Sequence, residues 1–249
     1  MAPSALAGPP LVSAGRARRL LRKLRRALRR DGMIGTVRLA LFRVRQRVWI
    51  SETHVWYQLG RASAPAADLP PDSELVRFAG DQIDGLTGVR LIGADLDIAA
   101  QRLRDGAELW VVVRADDALF ECFTYRQQAP IAGAPGGAIE VPDGMAIIED
   151  VITAVPHRGR GIAPAALGSV AARLAEAGAD TVLAKVERDN RASRRAFRKA
   201  GFRTLARMRR RRRGPVTAVA LDGPPNDRAV VVLRERITGH AGASPSKTP

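Results

Sequence analysis

Four things are scarce in this chain of 249 residues, and each scarcity excludes something. There is one cysteine, Cys122, so an internal disulfide and a cysteine-held zinc are both ruled out, and a reducing compartment is expected. No apolar run reaches the roughly 20 residues needed to span a bilayer as a helix. Aromatic residues make up 4% of the chain and are sparse among the basic stretches, which makes nucleic acid the weaker of the polyanionic partners, since single strands are held by stacking. Acidic residues are nearly missing from one region: residues 1–50 hold thirteen Arg and Lys against Asp31 alone, a local charge of +12, while the other 199 residues carry only +4 of the total +16. The basicity therefore belongs to an extension.

What is present is enough for one ordinary domain plus that extension, with 46% hydrophobic residues to build a core. The first fifteen residues are small and proline-containing and are expected to be disordered. From Arg16 to Arg30, Leu20, Leu21, Leu24 and Leu28 fall on one helical stripe; after Asp31-Gly32, Ile34, Val37, Leu41, Val44 and Val48 form a second. Two amphipathic basic helices result. They suit either a seat on anionic lipid or packing against the domain that follows. Ala, Pro and Gly precede the arginines, the reverse of a secretory signal, so export is not expected and a cytoplasmic location is, with the inner face of the membrane as a peripheral seat. An organelle transit peptide stays open. The layout read from composition is a disordered N-terminus (1–15), a basic helical extension (16–60), a linker (61–72), a main domain (73–238) and a disordered tail (239–249).

Within the main domain the pattern alternates between strand and helix. Glu74–Phe78 reads as a strand, and Asp97–Arg104 as a short helix capped by Asp95 or Asp97 and stopped at Gly106. Glu108–Arg114 and Ala118–Arg126 read as a hairpin that pairs with the opening strand. Cys122 lies mid-strand among aromatics, as an inert buried thiol would. The Pro/Gly-rich stretch 129–144 is long enough to wall a site. Arg203–Arg213 and Ala229–Glu235 (AVVVLRE) read as later strands, with a hairpin or loop over Gly214–Asp227. Outside the main domain, Glu52–Leu59 reads as a strand in which His54, Trp56 and Tyr57 pack rather than bind.

The chain turns on Ala146–Gly178, AIIEDVITAVPHRGRGIAPAALGSVAARLAEAG. A β-branched strand over Ala146–Ile152 passes through a glycine turn into a helix whose Leu167, Val170, Ala171 and Leu174 share a face, with Gly178 as its stop. Two glycines in His157-Arg158-Gly159-Arg160-Gly161-Ile162-Ala163 allow close backbone approach at a helix N-terminus, a nest for phosphate. A P-loop would need Gly-Lys-Ser/Thr, and a dinucleotide fingerprint would need a small residue where Pro164 stands. Arg-Gly-Arg-Gly-Ile-Ala after a strand bearing Glu149 resembles the pyrophosphate loop of the GNAT superfamily of acyl-CoA-dependent N-acyltransferases. A further strand, Thr181–Val186, and then Asn190-x-x-Ser193…Gly201-Phe202 are similar to that family's closing helix. The resemblance covers roughly Glu108 to Phe202.

It implies an α/β fold with a mixed, mainly antiparallel central sheet and flanking helices, here preceded by the basic extension. It also implies transfer of an acyl group from acetyl-CoA or a related acyl-CoA to a small-molecule or peptide amine by direct attack. By the same resemblance Ile152 and Thr153 line the pantetheine slot; Arg158, Gly159, Arg160, Gly161, Ile162 and Ala163 hold the diphosphate; and Asn190 meets the pantetheine arm besides capping its helix. Glu149 and Asp150 are the candidate bases; as neighbours on a strand they face opposite sides, so one reaches the cleft, and the resemblance favours Glu149. No metal is called for. Two departures stand out: Phe197 where many members have a tyrosine that protonates the leaving thiolate, with Tyr125 as a substitute, and one residue fewer between Pro156 and Arg158 than the common form. The alternative function is a catalytically weak GNAT-like module that docks on anionic membrane or nucleic acid.

Overall fold

The chain is described by a computed structural model covering residues 49–61, 68–80, 82, 85, 88–93, 95–115, 117–214 and 216–239. The expected disordered N-terminus, the two amphipathic helices, half of the linker (62–67) and the tail from 240 lie outside the described residues. Of the described residues, those within 51–211 and 217–239 belong to one compact unit, and 49–50, 212–214 and 216 fall outside it.

The apolar, β-branched runs become strands β1 (Trp49–Gly60), β2 (Glu74–Phe78), β3 (Ala107–Arg114), β4 (Asp117–Tyr125), β7 (Met145–Thr153), β8 (Thr181–Glu187), β9 (Arg203–Arg213) and β10 (Val216–Asp222). They join in one sheet in the order β10-β9-β1-β8-β7-β4-β3-β2. Pairing is antiparallel for β1–β8, β2–β3, β3–β4 and β4–β7 and parallel for β7–β8. The expected long loop at 129–144 carries a two-stranded ribbon, β5 (Gln128–Ala129) with β6 (Ile139–Glu140).

Four helices flank the sheet: α1 (Leu96–Arg104), α2 (Ile162–Glu176), α3 (Arg191–Lys199) and α4 (Arg228–Thr238). Helix α1 starts where Asp95 accepts from the Asp97 N–H, as its capping residue predicts. Each face of the sheet has its own core. Trp56, Phe78, Leu109, Phe123, Ile147 and Met208 pack with α1 and α4; Tyr57, Phe120, Cys122, Ile148, Leu167 and Phe197 pack with α2 and α3 on the other face. Full burial of an aliphatic or aromatic side chain of this kind is worth about 1.5–3 kcal/mol.

Two expectations are corrected here. Ala229–Glu235 belongs to helix α4 and not to a last strand, because Ala229, Val230, Leu233 and Ile237 recur at helical spacing on its buried side. Asp227 caps it and Gly239, in the left-handed region, ends it; the Val-Val-Val run had suggested a strand because β-branched residues favour one. The second concerns β1, placed by composition in the extension. It sits between β9 and β8 with Val55 opposite Val186, so residues 51–60 are part of the sheet.

Among the described residues no helix is long and apolar enough to cross a membrane. No group of three or more His, Cys, Asp or Glu among them is placed to hold a metal ion.

Candidate active site

Strands β7 and β8 begin as a parallel pair, from Met145 opposite Thr181 to Ile148 opposite Ala184, and their pairing ends there. Each stays fastened to its outer neighbour: β7 to β4 as far as Thr153 opposite Phe120, and β8 to β1 as far as Glu187 opposite His54. The two therefore separate. The cause lies in β7, where Asp150 has φ +52° and the register against β4 shifts between Glu121 and Phe123, a β-bulge that bends the strand. The gap is a cleft of about 310 Å³ whose walls include Glu149, Asp150, Ile152, Lys185, Asn190 and Phe197. Edge N–H and C=O groups turned toward it have lost their ladder partners, and buried backbone groups need partners. An extended ligand strand can supply them.

The bulge also overturns the expectation that Glu149 and Asp150 face opposite sides. The period of two breaks at the left-handed residue, and both residues line the cleft. Their surroundings differ. Glu149 is largely buried, with its side chain 13% exposed, and its Oε1 lies 3.5 Å from Lys185 Nζ. Burial pushes its pKa up to about 7, against the opposing pull of Lys185. Asp150 is half exposed and forms an ion pair with Arg102 of α1, whose guanidinium stacks 4.6 Å from the Phe123 ring centre. A base poised near neutrality is the better proton acceptor, so the geometry favours Glu149.

The glycine turn lies at the end of β7. Gly159 (φ +79°) and Gly161 (φ +82°) adopt the left-handed region, and an added Cβ at either would meet nothing within 4 Å; their need is conformational, with open space in front of them. Gly161 is the N-cap of α2 and offers no side-chain cap, so the first-turn N–H groups point outward unmet by the helix itself. Ile162 is buried and anchors the turn, Ala163 is half-buried, and Arg158 and Arg160 are exposed. Arg158 Nε donates to the Thr153 carbonyl at 3.1 Å, bracing the turn against the strand. Ile152 lines the cleft, and Thr153 is not among its walls. Asn190 caps its helix as expected, its Oδ1 accepting from the Ser193 N–H at 3.1 Å, and it is among the residues that line the cleft.

Phe197 closes the cleft on the α3 side, stacked on Tyr57 at 5.9 Å and edge-on to Phe202 at 5.1 Å. Burial pushes the Tyr125 phenol up to about 12, poorly matched to a thiol of pKa roughly 8.5. Cys122 is fully buried and its pKa is raised by that burial, which makes it inert.

Three residues of the site escaped the sequence reading. Lys185 was only the polar member of an apolar strand, TVLAKV, though a lysine inside such a strand is itself a signal, because burying it requires a partner. His54, expected only to pack, is 8% exposed and lies in the cleft wall, its pKa lowered by burial and by Lys185. Glu121 is 1% exposed and accepts from the N–H groups of Ile92 and Gly93 at 2.7 and 2.8 Å, tying that loop beside Ile152. A side chain at Gly93 would collide with Ile152.

Residues 84–202 match the acetyltransferase (GNAT) family. No curated protein is significantly similar to the chain. Among solved structures the chain is similar to a Drosophila protein (12% identity, TM-score 0.44, 78% of this chain and 59% of that one). It is also similar to a GCN5-related N-acetyltransferase from Sphaerobacter thermophilus (16%, 0.46, 78% and 58%). A third is a GCN5-related N-acetyltransferase from Kribbella flavida (13%, 0.44, 74% and 63%). The chain spans under two thirds of the length of each of these. The matched stretch, just under half of the chain, contains the bulged strand, the glycine turn, α2 and α3, and over it the chain is similar to the acetyltransferase (GNAT) family.

Proposed function

We propose that the chain transfers an acyl group, acetyl in the first instance, from acyl-CoA to a primary amine by direct attack within a ternary complex. The observation that carries this reading is the cleft between β7 and β8, which has unpaired main-chain edges along it, a glycine turn at the end of β7, and a buried carboxylate poised near pH 7 in its wall. The residues fit the donor. The outward N–H groups at Gly159–Ala163, flanked by Arg158 and Arg160, would hold its diphosphate, and Ile152 and Asn190 would hold its pantetheine arm.

Bound acyl-CoA supplies the activated thioester. Glu149 takes the proton that the amine must shed to attack, with water or Asp150 as the route where reach demands it. A backbone N–H at the bulge polarises the acyl carbonyl, an oxyanion-type contact. The thiolate leaves without a side-chain acid, since Phe197 cannot supply one and the Tyr125 phenol holds its proton too tightly. Gly161→Glu tests the reading by placing a carboxylate in the phosphate nest: it should abolish the acetyl-CoA-induced rise in melting temperature. An undiminished rise would put the donor elsewhere.

The charge of residues 1–50 favours a second, separable property, peripheral association with the anionic inner face of the membrane. Full-length protein should co-sediment with anionic vesicles at physiological salt and not with zwitterionic ones; no co-sedimentation ends the idea. Donor binding without turnover on any amine would favour the weak docking module instead.

A further inference from the structure

The wall of the cleft on the face shared by β1, β8 and α1 carries polar groups that the proposed transfer does not use. Lys185 is 9% exposed at its side chain, and its ion-pair partner is Glu149 at 3.5 Å, at the long limit for a hydrogen bond. Opposite it in register on β1 stands Trp56, with His54 one pleat along on the same face. Of the residues that line the cleft, His54 has a buried nitrogen, Nδ1, with no hydrogen-bond partner among the described residues. The unmet side-chain oxygens include one carboxylate, Glu149 Oε1. Buried polar groups left unpaired are costly. In the cleft, then, one unmet nitrogen stands with a carboxylate that lies 3.5 Å from a cation.

That arrangement is complementary to a molecule that offers an amine to the carboxylate and an anionic oxygen to the cation. The closeness of Lys185 to Glu149 sets the scale: the two substrate charges must be a carbon or two apart. We propose that the acceptor is a short zwitterionic amino carboxylate, its carboxylate held by Lys185 and His54 and its amine presented to Glu149. The neutral imidazole favoured at His54 can offer an N–H from Nδ1. The proposal deepens the acyl-transfer reading and depends on it. The transfer balances: the ammonium gives one proton to Glu149, the freed amine nitrogen bonds to the acyl carbon, the C–S bond breaks and the thiolate leaves with the electron pair, and the second nitrogen proton passes through water to that thiolate.

The test is a matched acceptor series with acetyl-CoA at one pH: glycine, β-alanine and 4-aminobutanoate against glycinamide and β-alaninamide. Glycine or β-alanine should exceed its own amide in kcat/KM by about tenfold or more, the scale of a hydrogen bond to a charged group, and 4-aminobutanoate should fall behind. Lys185→Met should collapse that ratio toward one by raising KM for the carboxylates, while Lys185→Arg, which keeps the cation, should keep the preference. Equal kcat/KM for acids and amides overturns the proposal. So does a Lys185→Met enzyme that slows both sets alike with a displaced pH profile, because Lys185 would then act only on Glu149. Acetyl-CoA binding with no transfer to the amino carboxylates also overturns it and leaves the donor site standing; absence of acetyl-CoA binding overturns the underlying acyl-transfer reading. Should neither variant fold, the wild-type series decides alone.

Discussion

From Met145 to Ile148, β7 is paired with β8, with β4 joining on the other edge at Ile147 and Ile148, and every side chain is buried; between Glu149 and Thr153 its partner is β4 alone and each side chain is partly or fully exposed. One strand thus serves two purposes within nine residues. The lower half follows the rule for buried parallel strands, a continuous apolar run. The upper half gives up hydrogen bonds to β8 and gains a cleft. What the contrast teaches is that the lower half carries the stability that lets the upper half stay open, and mutations in the two halves should fail in different currencies.

The largest effect belongs to the lower half. Ile147→Ala removes a fully buried side chain and should cost about 2–5 kcal/mol of stability, read as an earlier denaturation midpoint with an unchanged slope. Acceptor preference in the fraction still folded should be unaltered; a changed preference would mean the halves are not separable.

Glu149→Gln, in the upper half, should lower turnover at neutral pH by about 10²-fold, roughly 2.7 kcal/mol, with acyl-CoA affinity nearly kept. Wild-type kcat/KM should rise with pH and level off above about 7, where the carboxylate is ionised, and the variant should lack that limb. Stability runs the other way. Burial raises the folded pKa above the ordinary carboxylate value, so the folded chain keeps a proton that the unfolded chain has released, and stability from this group is lost as pH rises through about 7. The variant should therefore gain more melting temperature relative to wild type at pH 8 than at pH 5; the reverse order would deny the raised pKa.

How legible was this contrast in the sequence? The lower half was plain, since Ala146-Ile147-Ile148 is apolar and β-branched. So were the glycine turn and the caps at Asp95 and Asn190, because each depends on local backbone chemistry. The bulge was not. It depends on how β4 pairs with β7, which no window of one strand reports, and with it went the true facing of Asp150. Lys185 and His54 come together only through the pairing of β1 with β8, distant in sequence. Helix α4 misled because Val-Val-Val outweighed the spacing of Leu233 and Ile237.

Two smaller effects sharpen the boundary between the halves. Asn190→Ala removes the cap of α3 and should cost about 1 kcal/mol; if Asn190 also holds the donor, acyl-CoA affinity should weaken beyond what Asn190→Asp produces, and equal affinities would leave it a cap alone. Asp150→Gly relieves a left-handed aspartate while losing the exposed ion pair with Arg102. These oppose one another, so stability should change by less than about 1 kcal/mol. A larger loss would show that the pair with α1 holds the bulge in shape.

The seat of β1 has a consequence for how the chain is made. The strand nearest the N-terminus of the sheet is one of its inner members, and its partner β8 is synthesised on the order of ten seconds later at ribosomal rates. Until then Val55, Tyr57 and Leu59 have no β8 to cover them, and closing the sheet means recruiting a segment from far along the polypeptide, a high-contact-order step that slows folding. In refolding followed by pulsed hydrogen exchange, amides of β1 should gain protection no earlier than those of the β3–β4 hairpin, whose contacts are local. Nascent chains stalled before Thr181 should remain open to proteolysis within β1.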